Sequence, residues 1–347
     1  MILRLVLDFK NLLPLEKPAW APTAHAQTIL GELLPTKSLP NRGRQMTVNV
    51  GAADQIICRL YENVSPFVFV FAHGISGSAD SNYMQRIGLQ LYQAGHTVIL
   101  MNHRNCGEGL GQSVELYHSG RSDDLARLIY DTRLRYPRKK VIAIGFSMSG
   151  NTALLLQSRV IPTQKIWDPE HFESVKQRQK FSLPDAAIAV NPPVSLSSSV
   201  ENFRNFNRFY EFYFLVAMTK TAKELQEKWE LPKNLKLSPA MKLNEFDNAF
   251  TGPFSGFGDA MNYYVSCSSQ AHVHKIDRPT VILSANDDPF ILSRDILETR
   301  WSDSVALHLE NCGGHLGYLH KSKINQFENR WMDYAIHEMT AQLISSM

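Results

Sequence analysis

Between residues 67 and 311 short apolar runs recur, each of strand length and each ended by glycine, asparagine, proline or aspartate. They read FVFVFAHG (67–74), HTVILMNH (96–103), KKVIAIGF (139–146), AAIAVNPP (186–193), PTVILSAND (279–287) and SVALHLEN (304–311). Runs that are apolar throughout belong to strands covered on both faces. Segments of helical period lie between or after them: YMQRIGLQLYQAG (83–95), SDDLARLIYDTRLRYP (122–137, with Ser122 as expected N-cap), the segment opening at Met148, and INQFENRWMDYAIHEMTAQLI (324–344). Strands and helices in alternation demand crossover connections, so the expected fold class is α/β, a mostly parallel doubly wound sheet. Upstream, QMTVNV (45–50) and IICRLYENV (56–64) partly alternate and predict an antiparallel pair.

Two stretches break the rhythm. Pro14, Pro18, Pro22, Pro35 and Pro40 punctuate the first forty-odd residues, which predicts an irregular arm packed on the core over 1–44. Between AVNPP and PTVILSAND the chain carries VENFRNFNRFYEFYFLVAMTKTAKELQEKWEL (200–231), aromatic and helical in period. The expectation is a core of residues 45–193 and 273–347 with a helical cap inserted at 194–272. Its aromatic stripe packs between helices or lines an apolar substrate pocket.

At 347 residues the chain is long enough to bury a full core without staples. A formal charge of +3 is too mild to argue for nucleic acid, and the basic run RLRYPRKK (133–140) reads as a solvated helix end. Cys58, Cys106, Cys267 and Cys312 have no paired spacing and read as reduced thiols. MILRLVLDFKNLLPLEKPAW lacks the sustained apolar core and cleavage site of a leader, and no segment approaches the roughly 20 apolar residues of a membrane span. The expected location is the cytoplasm. No cofactor and no metal is expected.

The chemistry concentrates at VIAIGFSMSGNTALLL (141–156), where a strand pattern turns into a helix pattern around Ser147. Gly145-Phe146-Ser147-Met148-Ser149 follows G-x-S-x-G except at its last place, where serine is small enough to fit. Such a turn lifts the hydroxyl above the carboxyl edge of the sheet. A hydroxyl needs a base, and the base an orienting acid, here expected in the chain order serine, acid, histidine. Asp287 and Asp288 leave a late strand in PTVILSANDDPF, and Asp288, before Pro289, is favoured as the acid. LENCGGHLGY places His315 in a glycine loop after the final strand; His308, within that strand, and His320, expected on the terminal helix, are weaker candidates. The oxyanion donors expected are the backbone N–H groups of Met148, at a helix start, and Ile75, in AHGISGS.

These blocks carry a family resemblance. PAWAPTAHAQTILG, NHRNCGEG, YHSGRSDDL, GFSMSGN, GFGDAMNYYVSCSS, ANDDPF and GGHLGY resemble, in order, the YheT-like α/β-hydrolases, relatives of the mammalian ABHD-type esterases and phospholipases. The resemblance implies an α/β-hydrolase fold, Ser147, Asp288 and His315 as triad, and hydrolysis of short- to medium-chain acyl or lipid-like esters. It departs from the family at Ser149 and in NHRNC. His25 matches a recurrent histidine of the arm, without an assigned role.

Other readings fall away. Gly107-Glu108-Gly109-Leu110-Gly111 imitates a dinucleotide loop, but Gln112 stands where a glycine is required and no helix opens there. His118 and Asp123 have an H-x4-D spacing associated with acyl transfer, yet Asp123 and Asp124 fit as first-turn residues of a helix. The expected activity is a serine esterase acting on a small-molecule ester or lipid. The alternatives are an acyltransferase using the same triad, or a silent scaffold that binds an apolar ligand or partner. The basic, aromatic insertion leaves room for peripheral contact with membrane lipid.

Overall fold

A computed structural model of the chain describes residues 9, 11–51, 53–162, 181–228 and 235–347. The remaining residues of the arm and of the expected cap lie outside the described residues. Eight strands form one sheet in the order β1 (Arg44–Asn49), β2 (Gln55–Tyr61), β4 (Thr97–Met101), β3 (Phe67–Ala72), β5 (Lys140–Phe146), β6 (Ala186–Val190), β7 (Thr280–Ala285) and β8 (Val305–Glu310). β1 and β2 pair antiparallel, as does β2 with β4, and every later pairing is parallel. Val70 at the centre sits between Ile99 and Ala143, all three fully buried. Unbroken apolar runs are what such two-sided burial requires.

The crossover helices cover both faces. α2 (Asn82–Gln93) and the terminal helix pack Met84, Ile87, Ile336 and Met339 against Phe69, Ile144 and Ile188. On the other face α3 (Ser122–Arg135) and α4 (Met148–Gln157) press Leu125, Ile129 and Leu156 onto Val68, Val70 and Val141. Because chain order reverses around β3, a crevice opens at the carboxyl ends of β3 and β5.

The structure departs from the sequence reading in four places. The arm is not wholly irregular: α1 (Ala24–Leu33) runs between Pro22 and Pro35, with Thr23 as N-cap accepting from the Ala26 N–H. The prolines bound this helix instead of breaking it. Ser122 is the first helical residue of α3, after Arg121, and its hydroxyl donates to the Val160 carbonyl at 2.7 Å. The terminal helix begins only at Trp331, because a 3-10 turn, Asn325–Phe327, opens at positive φ on Asn325 and is closed by Glu328, also at positive φ. His320 therefore lies in a loop, not on that helix.

Between β6 and β7 come α5 (Leu196–Phe206), α6 (Arg208–Lys228), a short helix Leu243–Phe246, a π-helical turn Asp247–Thr251 and α7 (Ala260–Cys267). They share an apolar cluster of their own, with Phe203, Leu215, Leu225, Phe246 and Phe250 packed against Phe290 and Ile282 of the sheet side. Among the described residues no helix is long and apolar enough to cross a membrane. All four cysteines are buried and free.

Candidate active site

Ser147 stands on the turn from β5 to α4 at φ +52°, a region costly for any residue with a Cβ. Its backbone N–H is held by the Val190 carbonyl at 2.8 Å. The turn closes because Gly145 has no side chain: a Cβ there would lie 2.2 Å from the Ser149 carbonyl oxygen. At Gly74 the fit is tight as well: a Cβ there would approach that of Ser147 to 3.2 Å, so the serine would have to give by a few tenths of an ångström.

Ser149 does more than fit. Its buried hydroxyl donates to the His73 carbonyl and accepts from His103 Nε2 at 2.6 Å, tying the first turn of α4 to the ends of β3 and β4. His73 Nδ1 donates to the Gly74 carbonyl, and its Nε2 accepts the His103 backbone N–H. Burial pushes His103 down to about 4 and His73 well below the ordinary histidine range, so both rings stay neutral. This lattice fixes the loop that carries Ile75.

His315 reaches Ser147 from β8's exit. Its Nε2 accepts from Ser147 Oγ at 2.9 Å, and its Nδ1 donates to Asp288 Oδ2 at 2.7 Å. The other oxygen of Asp288 accepts the backbone N–H groups of Phe290 and Ile291. Asp287 points elsewhere: it accepts the Gly314 N–H at 2.9 Å and shapes the histidine loop. His308 faces Glu310 at 2.9 Å and His320 the Ser322 carbonyl, so neither approaches the serine.

Residues the sequence did not single out hold these three in place. Asn191, at φ +46° after β6, donates to Asp288 Oδ2 and accepts from the Tyr318 hydroxyl at 2.8 Å. Thr28 of α1 accepts the His315 backbone N–H at 2.9 Å. Buried Gln27 bridges the backbones of Ala21 and Leu319. His25 stacks on Tyr210 of α6, with its Nδ1 3.2 Å from the phenol oxygen, so α1 joins the histidine loop to the helices above it. The prolines around α1 hid this helix. Among the described residues, neither the Ile75 nor the Met148 N–H has an acceptor, and both residues line the space beside Ser147. Met148 opens α4, where the helix N-terminus adds partial positive charge.

Two spaces meet at Ser147. A cavity of about 130 Å³ runs beneath the inserted helices, walled by buried Leu116, Leu196, Phe203, Phe246 and Phe250. A groove of about 330 Å³ lies between α1 and α6 and contains His315, with exposed Leu33, Phe209 and Tyr213 at its rim. The cavity is mostly hydrocarbon-lined but holds one carboxyl. Asp247, on the π-helical turn, is 4% exposed and accepts from the Tyr264 hydroxyl at 2.8 Å. Burial pushes it up to about 6, against the pull of hydrogen bonds from Thr251 and Tyr264.

A folded-state pKa above the usual carboxylate value stabilises the fold at low pH, and that stability is lost as pH rises through about 6. By pH 7 the loss is on the order of 3 kcal/mol. Asp247→Asn removes the titration, so the stability of the variant minus that of the native protein should grow from pH 5 to pH 8. Denaturant midpoints at the two pH values check this, and a difference independent of pH contradicts it.

His118 and Asp123 do not form a catalytic pair. His118 accepts from the Gly120 N–H, while Asp123 pairs with Arg121 at 3.3 Å. Among the described residues no group of three or more His, Cys, Asp and Glu side chains could hold a metal.

Comparison with known proteins agrees with this architecture. The profile of a family described as the alpha/beta hydrolase fold matches residues 68–174. A protein of Escherichia coli named "Putative esterase YheT" is 27% identical over 260 residues, spanning 73% of this chain and 71% of the relative. A Saccharomyces cerevisiae "Monoacylglycerol lipase" is 26% identical, over 72% of this chain and 54% of its own. The mouse "Monoacylglycerol lipase ABHD2" is 20% identical over 92% of this chain and 77% of its own. Among solved structures, an esterase of Pyrococcus furiosus superposes with a TM-score of 0.54 at 14% identity, over 89% of this chain and 97% of that one. Est1E from Butyrivibrio proteoclasticus does so at 0.53 and 11%, over 86% and 99%. At such identities the superpositions speak for the fold.

Proposed function

We propose that this chain, a member of the YheT/ABHD-like α/β-hydrolases, hydrolyses carboxylic esters of aliphatic acids through an acyl-enzyme on Ser147. The observation that carries the reading is the unbroken relay Ser147 Oγ to His315 Nε2, and His315 Nδ1 to Asp288 Oδ2, beside a cavity large enough for an acyl chain. His315 takes the serine proton as the hydroxyl attacks the ester carbonyl, and Asp288 stabilises the imidazolium that results. The Ile75 and Met148 N–H groups receive the oxyanion, each worth a few kcal/mol in the transition state. His315 then gives the proton to the departing alkoxide. Water repeats the sequence on the acyl-enzyme, releasing the acid and restoring the serine.

The two spaces divide the substrate. His315 must protonate the leaving alcohol, and it lines the groove between α1 and α6, not the cavity. The alcohol therefore occupies the groove and the acyl chain the cavity. The groove's exposed apolar rim of Ile29, Leu33, Phe209 and Tyr213 favours bulky or lipid-like alcohols and brief contact with a lipid surface. On this reading the helices of 194–272 act as a cap over the acyl chain, and the described part of 1–44 as a strut for the base. The names of the relatives, esterase and monoacylglycerol lipase, point the same way.

The test is a series of p-nitrophenyl esters from acetate to palmitate, run beside labelling by a fluorescent fluorophosphonate. Labelling with kcat/KM peaking at an intermediate chain length is the expected result. A folded protein that neither labels nor turns over any ester would sink the proposal.

A further inference from the structure

The wall of the acyl cavity is largely hydrocarbon, yet it includes a carboxyl that has no counter-charge. Asp247 and Thr251, at the two ends of the π-helical turn, both border the space that reaches Ser147. Phe246 and Phe250 flank them in the same wall, and Asp247 keeps 4% of its surface open. The turn closes between the Gly252 N–H and the Asp247 carbonyl, five residues apart, a widening that recurs at functional sites.

The elements packed against this turn bring titratable groups, each already engaged or uncharged. From α7, Tyr264 donates its hydroxyl to Asp247 Oδ2 at 2.8 Å, Tyr263 accepts the Ser119 N–H, and burial keeps Cys267 a thiol. Asp259, at the start of α7, is engaged by Asn262, and Glu245 of the preceding short helix by the Lys242 N–H. Glu211 of α6 is taken by Arg208 and by the Leu243 N–H. His118, elsewhere in the cavity wall, is kept neutral by burial. Among the described residues no lysine, arginine or histidine pairs with Asp247.

A buried carboxylate without a cation relies on the water around it. A hydrocarbon chain that fills the cavity excludes that water and offers no hydrogen bond in exchange. The neutral acid tolerates such a chain and the ion resists it. Burial already pushes Asp247 up to about 6, and a chain beside it pushes it further, so chain binding takes up a proton. Long chains thus gain at low pH and lose as pH rises through about 6.

We infer that Asp247 sets the acyl-chain preference of this enzyme: the cavity takes a long hydrocarbon chain when that carboxyl is protonated and turns it away when the carboxyl is ionised. This deepens the ester-hydrolase reading and rests on it. Asp247 touches no reacting atom, so its part is specificity and not catalysis.

The native enzyme is given p-nitrophenyl acetate, butyrate, octanoate and decanoate from pH 5 to pH 8. The quantity read is kcat/KM for each longer ester divided by that for acetate at the same pH. That ratio cancels the titration of His315, which acts on every ester alike. The protonated share of a group titrating near 6 falls from about one half at pH 6 to about one hundredth at pH 8. The ratio for the best long ester should therefore drop by roughly tenfold or more. Asp247→Asn still offers Tyr264 an acceptor but does not titrate, and its ratio should stay level. A second readout needs no turnover: infrared difference spectra at pH 7 of protein labelled on Ser147 by an octyl or a methyl fluorophosphonate. The octyl adduct should gain a protonated-carboxyl band that the methyl adduct and Asp247→Asn lack.

A native ratio that stays level across this range overturns the inference even if the variant fails to fold. A fall that persists in Asp247→Asn does so too, as does an octyl adduct without the band. If no ester is turned over and neither fluorophosphonate labels the protein, the ester reading itself has failed, and the inference falls with it.

Discussion

Ser147→Ala should lower kcat by about 10⁵- to 10⁶-fold, as removal of a triad nucleophile does elsewhere, and abolish fluorophosphonate labelling. The size follows from what the hydroxyl does. On the proposed mechanism it is the attacking atom, so no amount of oxyanion stabilisation replaces it; what survives is the modest rate that binding and the N–H donors give to direct attack by water. KM should change far less, because a serine hydroxyl adds little to binding of the ground state. The fold should hold, since the Ser147 backbone bond to Val190 is untouched. Stopped assays with an active-site titrant distinguish a true residual rate from contamination. Turnover within tenfold of native would place the nucleophile on another residue.

The second large effect concerns stability. Arg104, from the NHRNC block, is 1% exposed and donates to both oxygens of Asp124 at 2.6 and 2.8 Å, to Asp54, to Glu115 at 3.3 Å and to the Val50 carbonyl. Asp124 and Asp54 are themselves buried. Arg104→Ala leaves these carboxylates without their cation, at a cost of about 3–5 kcal/mol. The loop it anchors also carries Tyr117, whose hydroxyl accepts the Ser76 N–H beside Ile75, the proposed oxyanion donor, so turnover should fall as well. Urea denaturation measures the first effect. Adding Asp124→Leu to Arg104→Ala should return part of the loss, because an apolar side chain removes the stranded charge. A single-variant cost below about 1 kcal/mol would mean that water reaches these carboxylates readily in solution.

Much of the architecture was readable before any coordinates. Runs such as FVFVFA and KVIAIGF have a composition that only a strand covered on both faces tolerates, and they occupy the centre of the sheet. The three residues picked out by chain order are the three that the structure brings into hydrogen-bonding reach, with Asp288 rather than Asp287 against the histidine. The supporting residues were not readable. Asn191 meets Asp288 across 97 positions, and Ser149 meets His73 across 76, so neither leaves a local pattern. Ser149 passed for a small filler because sequence spacing registers size, not the two partners that a fold supplies. Ser122 failed as a cap for a related reason: a serine at a helix start is attractive locally, but Val160 competes for its hydroxyl. Arg104 and Arg121, buried and ion-paired, gave no periodic signal at all.

The bond from Thr28 to the His315 backbone spans 287 positions, and the one from Ser147 to His315 spans 168. During synthesis the serine thus leaves the ribosome well ahead of its base. At typical elongation rates the delay is about ten to thirty seconds. Throughout that interval β5 and its turn can form, but the hydroxyl has no proton acceptor, and α1 has no histidine loop to rest against. On the proposed triad, hydrolytic competence therefore waits for the histidine loop, the last part of the site to be synthesised. Until the last strand and its loop are made, the crevice around Ser147 lacks the proposed base.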